Sequence, residues 1–225
     1  MKISKSIVAI VVLVAILVGA NYFSGHLADK TRDEVVVPLP ADHKPTLEEL
    51  SSSPIPVTKN INFDRPGELA FIEQGNGALI INLAPGVENV LGFQGRIRAY
   101  HNYEEYEHLN GAGGGYVHVG DTDEYHEVTA DESFASLASL NNSKNQYGYP
   151  VVRINSGDAG GASETYLIQL ENALVVVVRS TDVSGYFGLP QDVTDAIIKK
   201  QEVQDRFLDN AFNRIIQSIR PKAIQ

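Results

Sequence analysis

The sequence predicts an α+β domain, a mostly antiparallel sheet with helices packed on it as a layer sandwich, preceded by an N-terminal transmembrane helix. Three patterns support this: short apolar runs separated by turn residues from residue 61 onward, an amphipathic run near the C-terminus, and an uncharged apolar run near the N-terminus. A chain of 225 residues accommodates one such domain. We divide it into a signal anchor (1–23), a proline-rich linker (24–58) and an extracytoplasmic domain (59–225).

The apolar run at residues 7–23 is long enough to cross a bilayer. Its 17 residues carry no charge, and as a helix they span about 25 Å. Lys2 and Lys5 precede it, which predicts a cytoplasmic N-terminus and a single pass through the cell membrane. The alternative is a signal peptide cleaved near Ala20, which gives a secreted domain. Both interpretations export the domain, and the first makes the lipid bilayer a partner of residues 7–23.

The composition of residues 24–58 is typical of a linker. Five of the ten prolines of the chain fall within residues 38–56, together with three consecutive serines. Such a segment is semi-extended and buries little surface. We expect it to hold the folded domain away from the bilayer.

Strands are predicted where apolar residues run or alternate between turn residues. The eight segments of this kind are 69–74, 78–83, 94–101, 116–119, 124–128, 151–154, 165–170 and 173–179. Gly75, Asn76 and Gly77 join the first two as a hairpin, because these residues tolerate positive φ. Four consecutive valines at 175–178 predict a central strand that is covered on both faces.

Three helices are predicted, and the second and third of them are expected to pack on this sheet. Asn102 and Glu105 have the spacing of a capping box, which begins the first helix, and residues 131–140 form the second. The third lies near the C-terminus and is the clearest of them. There Val203 falls on the apolar stripe that we expect to face the sheet, and Gln204 falls among the polar residues opposite.

The order of these elements resembles the PsbP-like domains of thylakoid-lumen proteins and exported bacterial proteins. The resemblance is carried by YPVVRI at 149–154, ETYLIQLENALVVVV at 164–178 and the helix ending FNRIIQSIRPK at 212–222. It covers about residues 60–222, and the long insertion at 99–130 departs from the family pattern. The resemblance implies a binding or assembly module. No functional residue of the family matches a motif here, so none is carried over.

Charge and cysteine content exclude several classes of function. The formal net charge of −10 repels phosphate backbones, so we predict no nucleic-acid partner. The absence of cysteine excludes disulfides, thiol nucleophiles and Cys-ligated metal centres.

Imidazole and carboxylate groups are concentrated in residues 101–127 and are candidate ligands of Zn²⁺ or Ca²⁺. The candidate metal ligands are His108, His118, Asp121, Asp123 and His126, with Glu124 as a further oxygen donor. Their spacing matches neither the H-E-x-x-H motif nor the twelve-residue calcium loop. Solvent-exposed polar faces explain the same residues, so the sequence predicts no obligatory cofactor.

Tyrosines accompany these acidic residues. Tyr103, Tyr106, Tyr116 and Tyr125 offer contact area at low entropic cost, which favours a binding face for an extracytoplasmic protein or glycan. Half-buried strand tyrosines are the alternative explanation. The sequence thus predicts a membrane-anchored, non-enzymatic binding or assembly module, with a metal-binding domain built on residues 101–127 as the alternative.

Overall fold

A computed structural model of the chain describes residue 46 and residues 54–110, 114–158, 161–186 and 188–223. The predicted membrane anchor at 1–23 and most of the predicted linker lie outside these residues. Among the helices that are described, none combines the length and the apolar character needed to span a bilayer.

The described elements are ten strands, four α-helices and a short 3-10 helix. The strands are β1 (Ile61–Asn62), β2 (Leu69–Glu73), β3 (Leu79–Leu83), β4 (Gln94–Tyr100), β5 (Tyr116–His118), β6 (Tyr125–Glu127), β7 (Val151–Asp158), β8 (Gly161–Gln169), β9 (Leu174–Asp182) and β10 (Arg220–Pro221). The helices are α1 (Val57–Asn60), α2 (Tyr103–Asn110), α3 (Phe134–Asn141), α4 (Gln191–Ser218) and the 3-10 helix Ser184–Tyr186.

Eight strands form one antiparallel sheet in the order β2-β3-β4-β9-β8-β7-β5-β6, and β1 pairs with β10 separately. All eight predicted strand segments are present, so the predicted mostly antiparallel α+β fold is confirmed. β9, which contains the four valines, lies between β4 and β8 as predicted for a central strand. β1 and β10 were not predicted, because two-residue strands leave no period in the sequence.

Helices cover part of each face of the sheet, and each face has its own hydrophobic core. α4 packs on one face, where Ile97, Val177 and Phe212 are fully or almost fully buried. α2 and α3 pack on the other face, over Val117, Leu137 and other buried residues. Alternate residues of a strand point to opposite faces, so neighbouring residues of β9 contribute to different cores.

The phase of α4 differs from the prediction at one point. Val203 is 64% exposed, whereas Gln204 is 8% exposed and binds the backbone of the loop after β3. The prediction was wrong here because the loop after β3 is distant from α4 in the sequence and contacts it only in the folded protein. The spacing of apolar residues within a helix contains no information about such a contact.

The two shorter predicted helices are confirmed, with one shifted start. The Asn102 side chain accepts a 2.8 Å hydrogen bond from the Glu105 backbone N–H, so the first helix has the predicted cap. The second begins at Phe134 rather than at 131, because the Ser133 hydroxyl caps it by accepting from the Ser136 N–H at 3.2 Å.

The last residues of the predicted linker pack against the sheet. Val57 in α1 is fully buried in the core under α4, and Ile55 forms a β-bridge with Ala99 of β4. The ordered packing of the domain therefore includes residues before 59.

Candidate functional site

A groove of about 810 Å³ lies between α4 and the β5–β6 hairpin, with β7 and β8 as its floor. β5 contributes His118, β6 contributes Tyr125, and α4 contributes Asn213 and Gln217. Most of the side chains that line the groove are polar or aromatic. Beside the core under α4, this part of the sheet is therefore open to a ligand.

Strand register explains why polar side chains meet in the groove. On β7, Val152 and Ile154 point into the core under α2 and α3, which leaves Arg153 and Asn155 on the opposite face. Arg153 pairs with Tyr166 of β8, so both side chains reach the same floor.

At the α4 side of the floor lies a charged network centred on Arg179. Its side chain is 5% exposed and forms ion pairs with Asp205 and Asp209 of α4 and, at 3.5 Å, with Glu164 of β8. A buried guanidinium is tolerated only when its charge and its N–H groups are matched. Three carboxylates meet that requirement, and they fix α4 against β8 and β9.

Glu164 links this network to the groove floor. It forms an ion pair with Arg153 and accepts a 3.1 Å hydrogen bond from the Tyr166 hydroxyl. Burial, together with the nearby Glu164 carboxylate, raises the pKa of Tyr166 to about 12. Tyr166 therefore stays a neutral donor, and the Arg153 side chain, which is 50% exposed, retains solvent-facing N–H groups for a ligand.

The rim of the groove is formed by His118 and Tyr125, which face each other across the β5–β6 pair. Their rings meet edge to face, with centroids 5.1 Å apart. His118 Nδ1 lies 2.9 Å from the Gly120 carbonyl oxygen, which can only accept, so Nδ1 donates and, in the neutral ring, Nε2 is the acceptor. Tyr125 is 62% exposed and offers its ring to solvent.

The predicted metal ligands are spread over several elements. His108 is exposed in the last turn of α2, Asp121 and Asp123 lie in the β5–β6 turn, and His126 binds Glu132 at 2.6 Å. Within residues 54–110, 114–158, 161–186 and 188–223, no group of three or more His, Asp or Glu side chains is arranged to hold a metal ion. The metal site stays a prediction, which calorimetric titration with Zn²⁺ and Ca²⁺ tests.

The four predicted partner-binding tyrosines separate into two pairs. Tyr103 is 8% exposed and Tyr106 is half-buried, and both pack in the core under α2 and α3 beside Phe134. Tyr116 and Tyr125 are exposed on the strand face that bears the groove. The prediction of a tyrosine-rich binding face therefore depends on this second pair.

Sequence reasoning missed the groove floor and its ion-pair network. The signal was present in β7, where Arg153 and Asn155 alternate with the apolar Val152 and Ile154. A strand whose second face were covered by a helix would carry apolar residues at those positions. The side chains that α4 contributes to the groove and the ion-pair network, such as Asp209, could not be predicted, because the sequence does not show which strands the helix crosses.

No protein-family model matches this chain, and no curated protein matches it. A crystal structure of a protein from Bacteroides thetaiotaomicron is similar over 72% of this chain and 44% of that chain, with a TM-score of 0.34 and 10% sequence identity. The chain thus spans less than half the length of that protein. The resemblance to PsbP-like domains stays a prediction, and the functional proposals for this chain depend on its own residues.

Proposed function

We propose that the chain is a membrane-anchored, extracytoplasmic, non-enzymatic binding module and that the groove beside α4 binds a glycan chain. The observation that carries the proposal is the composition of the groove, where amide and aromatic side chains lie together around one partly exposed arginine. Its volume of about 810 Å³ falls within the range of ligand pockets, roughly 300–1,000 Å³.

The amide groups suit a ligand with many hydroxyls. Asn155, Asn213 and Gln217 each provide both donors and acceptors, and a sugar hydroxyl also donates and accepts. The exposed Tyr125 ring supplies a flat apolar surface at the rim, on which the C–H face of a sugar ring packs. Arg153 adds directed donors at the floor.

Residues 7–23 support an extracytoplasmic location of the folded domain. Their uncharged length and the preceding lysines favour an anchor with the domain on the extracytoplasmic side, where cell-surface glycans are found. Membrane fractionation of the full chain tests this part. We expect the intact mass in the membrane fraction and its release by Leu13→Lys, whereas a product shortened by about 20 residues would support the secreted form.

Binding is tested by screening the full-length chain on an oligosaccharide array and titrating the tightest-binding oligosaccharide by calorimetry. We expect Tyr125→Ala and Asn213→Ala to weaken binding about tenfold, as for residues central to an interface. Tyr147→Ala is the matched control, because Tyr147 is 45% exposed but stacks on Arg220 and does not line the groove. Absence of any bound oligosaccharide, or equal affinity of Tyr125→Ala and wild type, contradicts the proposal.

A further inference from the structure

On the face of the sheet opposite the groove, β4 carries two neighbouring arginines. Arg96 and Arg98 point to the side of α2 and α3, because Ile97 between them is fully buried in the core under α4. The strand rise places their Cα atoms about 6.6 Å apart. Two positive charges therefore lie side by side on a chain whose net charge is −10.

Neither guanidinium forms an ion pair within the described residues. In the part of the chain that the structure describes, no carboxylate lies within ion-pair distance of Arg96 or Arg98. Arg98 Nε is buried and has no hydrogen-bond partner there. A buried N–H without a partner costs about 1–3 kcal/mol of stability, and such groups in native proteins commonly mark the position of a bound ion or water.

Two tyrosine rings lie on the same side of the sheet as the arginines. The Arg98 guanidinium lies over the Tyr100 ring, 4.9 Å from its centroid, and the Tyr106 ring meets Tyr100 edge to face at 5.4 Å. Burial raises the pKa of Tyr106, the neighbouring Tyr100 and Glu107 add to that rise, and the positive charge of Arg96 opposes it. The Tyr106 hydroxyl makes no hydrogen bond within the described residues, so it is a further free donor.

An apolar strip adjoins these donors. Ile80 of β3 pairs directly with Arg96, and Ile72 of β2 pairs with Ile80 and is 54% exposed. An apolar strip that begins beside Arg96 and ends at an exposed isoleucine suits a ligand with an anionic end and an apolar body.

The donor set fits a phosphate group better than a carboxylate. Charge is what separates the two anions, because a carboxylate carries one negative charge and two guanidinium groups carry two positive charges. A phosphate monoester has about two negative charges near neutral pH and offers three terminal oxygens, so it balances both arginines and can also accept from a hydroxyl.

We propose that Arg96, Arg98 and Tyr106 bind the phosphate group of a monoester whose apolar part lies over Ile80 and Ile72. The site is independent of the groove, since it occupies the other face of the sheet. The phosphate comes either from a soluble ester or from a lipid headgroup, and the two sources share the same chemistry at the arginines.

The test is calorimetric titration of the full-length chain with two probes, phenyl phosphate and monomeric dihexanoyl phosphatidate. We expect binding of at least one probe, and the tighter one identifies the source. Arg96→Gln and Arg98→Gln should each weaken it about tenfold or more, because each removes charge-assisted hydrogen bonds. Tyr106→Phe, which removes only a hydroxyl and leaves the ring packing intact, should weaken it a few-fold.

Arg65→Gln is the control, because Arg65 also lies over aromatic rings, those of Phe63 and Phe71, but belongs to a different part of the surface. The Arg65→Gln variant should bind the phosphate probe with the same affinity as wild type. Thermal unfolding of every variant verifies folding, and Tyr106→Phe keeps the test decisive if an arginine variant does not fold. No binding of either probe at millimolar concentration, or the same loss in Arg65→Gln as in Arg98→Gln, overturns the proposal.

Discussion

Replacing Gln204 by alanine should destabilise the domain far more than replacing Val203, its neighbour in α4. The Gln204 Nε2 donates to the Glu88 carbonyl oxygen at 2.5 Å, and its Oε1 accepts from the Leu91 N–H at 2.9 Å. Gln204 thereby holds the loop after β3 against the helix at two points. Val203 is 64% exposed and has no comparable role.

The magnitude follows from those two hydrogen bonds. Gln204→Ala leaves the N–H of buried Leu91 without a partner, which costs about 1–3 kcal/mol, and loses a second bond of about 1 kcal/mol. The better helix propensity of alanine returns a few tenths. We expect a loss of about 2–3 kcal/mol in the free energy of unfolding, or about 5–10 °C in Tm. Val203→Ala should lie within about 0.5 kcal/mol of wild type.

The assay is urea unfolding followed by far-ultraviolet circular dichroism, since the chain has no tryptophan to report. Gln204→Met keeps the side-chain length but not the hydrogen bonds, so it should still lose at least about 1 kcal/mol. The reasoning is refuted if Val203→Ala costs more than Gln204→Ala, because the helix would then present the phase that the apolar period predicted.

Gly92→Ala should cost at least about 2 kcal/mol in urea unfolding, because Gly92 has φ +57° and an added Cβ would lie 2.3 Å from the Asp182 carbonyl oxygen. Gly67→Ala is the control and should change stability little, because Gly67 has open space around it. Arg179→Met should lose about 1–3 kcal/mol, since Asp205 and Asp209 lose their ion pairs with it but are half exposed, and Glu164 keeps its ion pair with Arg153; no loss would show that the network is not structural. A hydrogen bond from the Thr129 backbone, followed by the bond to His126, holds the pKa of Glu132 below its usual 4.5. Because the pKa is lower in the folded state, the ionised carboxylate stabilises the protein above pH 4.5, and this contribution is lost as pH falls through the native pKa. In acid titrations, the stability difference between wild type and Glu132→Gln should therefore shrink below pH 4.5 and stay constant above it.

Local patterns predicted the strands because the side-chain period of a strand is a property of neighbouring residues. Gly75 to Gly77 joins β2 and β3 as expected, and the valines of β9 lie at the centre of the sheet. The cap at Asn102 formed for the same reason, since its partner is three residues away.

The candidate site was predicted only in part. His118 and Tyr125 were singled out from sequence for metal or partner binding, and both line the groove. Arg153 and Arg179 were not, because their importance comes from the carboxylates beside them on other elements.

By itself the sequence determined the eight strands of the main sheet, the helices α2 to α4 and the strand alternation that separates core from surface, since these depend on residues a few positions apart. The tertiary structure alone decided which strands α4 covers and which it leaves open. It decided as well that Gln204 is buried, that Arg179 meets three carboxylates, and that Arg96 and Arg98 meet none among the residues that the structure describes. Each of these outcomes is a contact between segments distant in the chain, and no local period records such a contact.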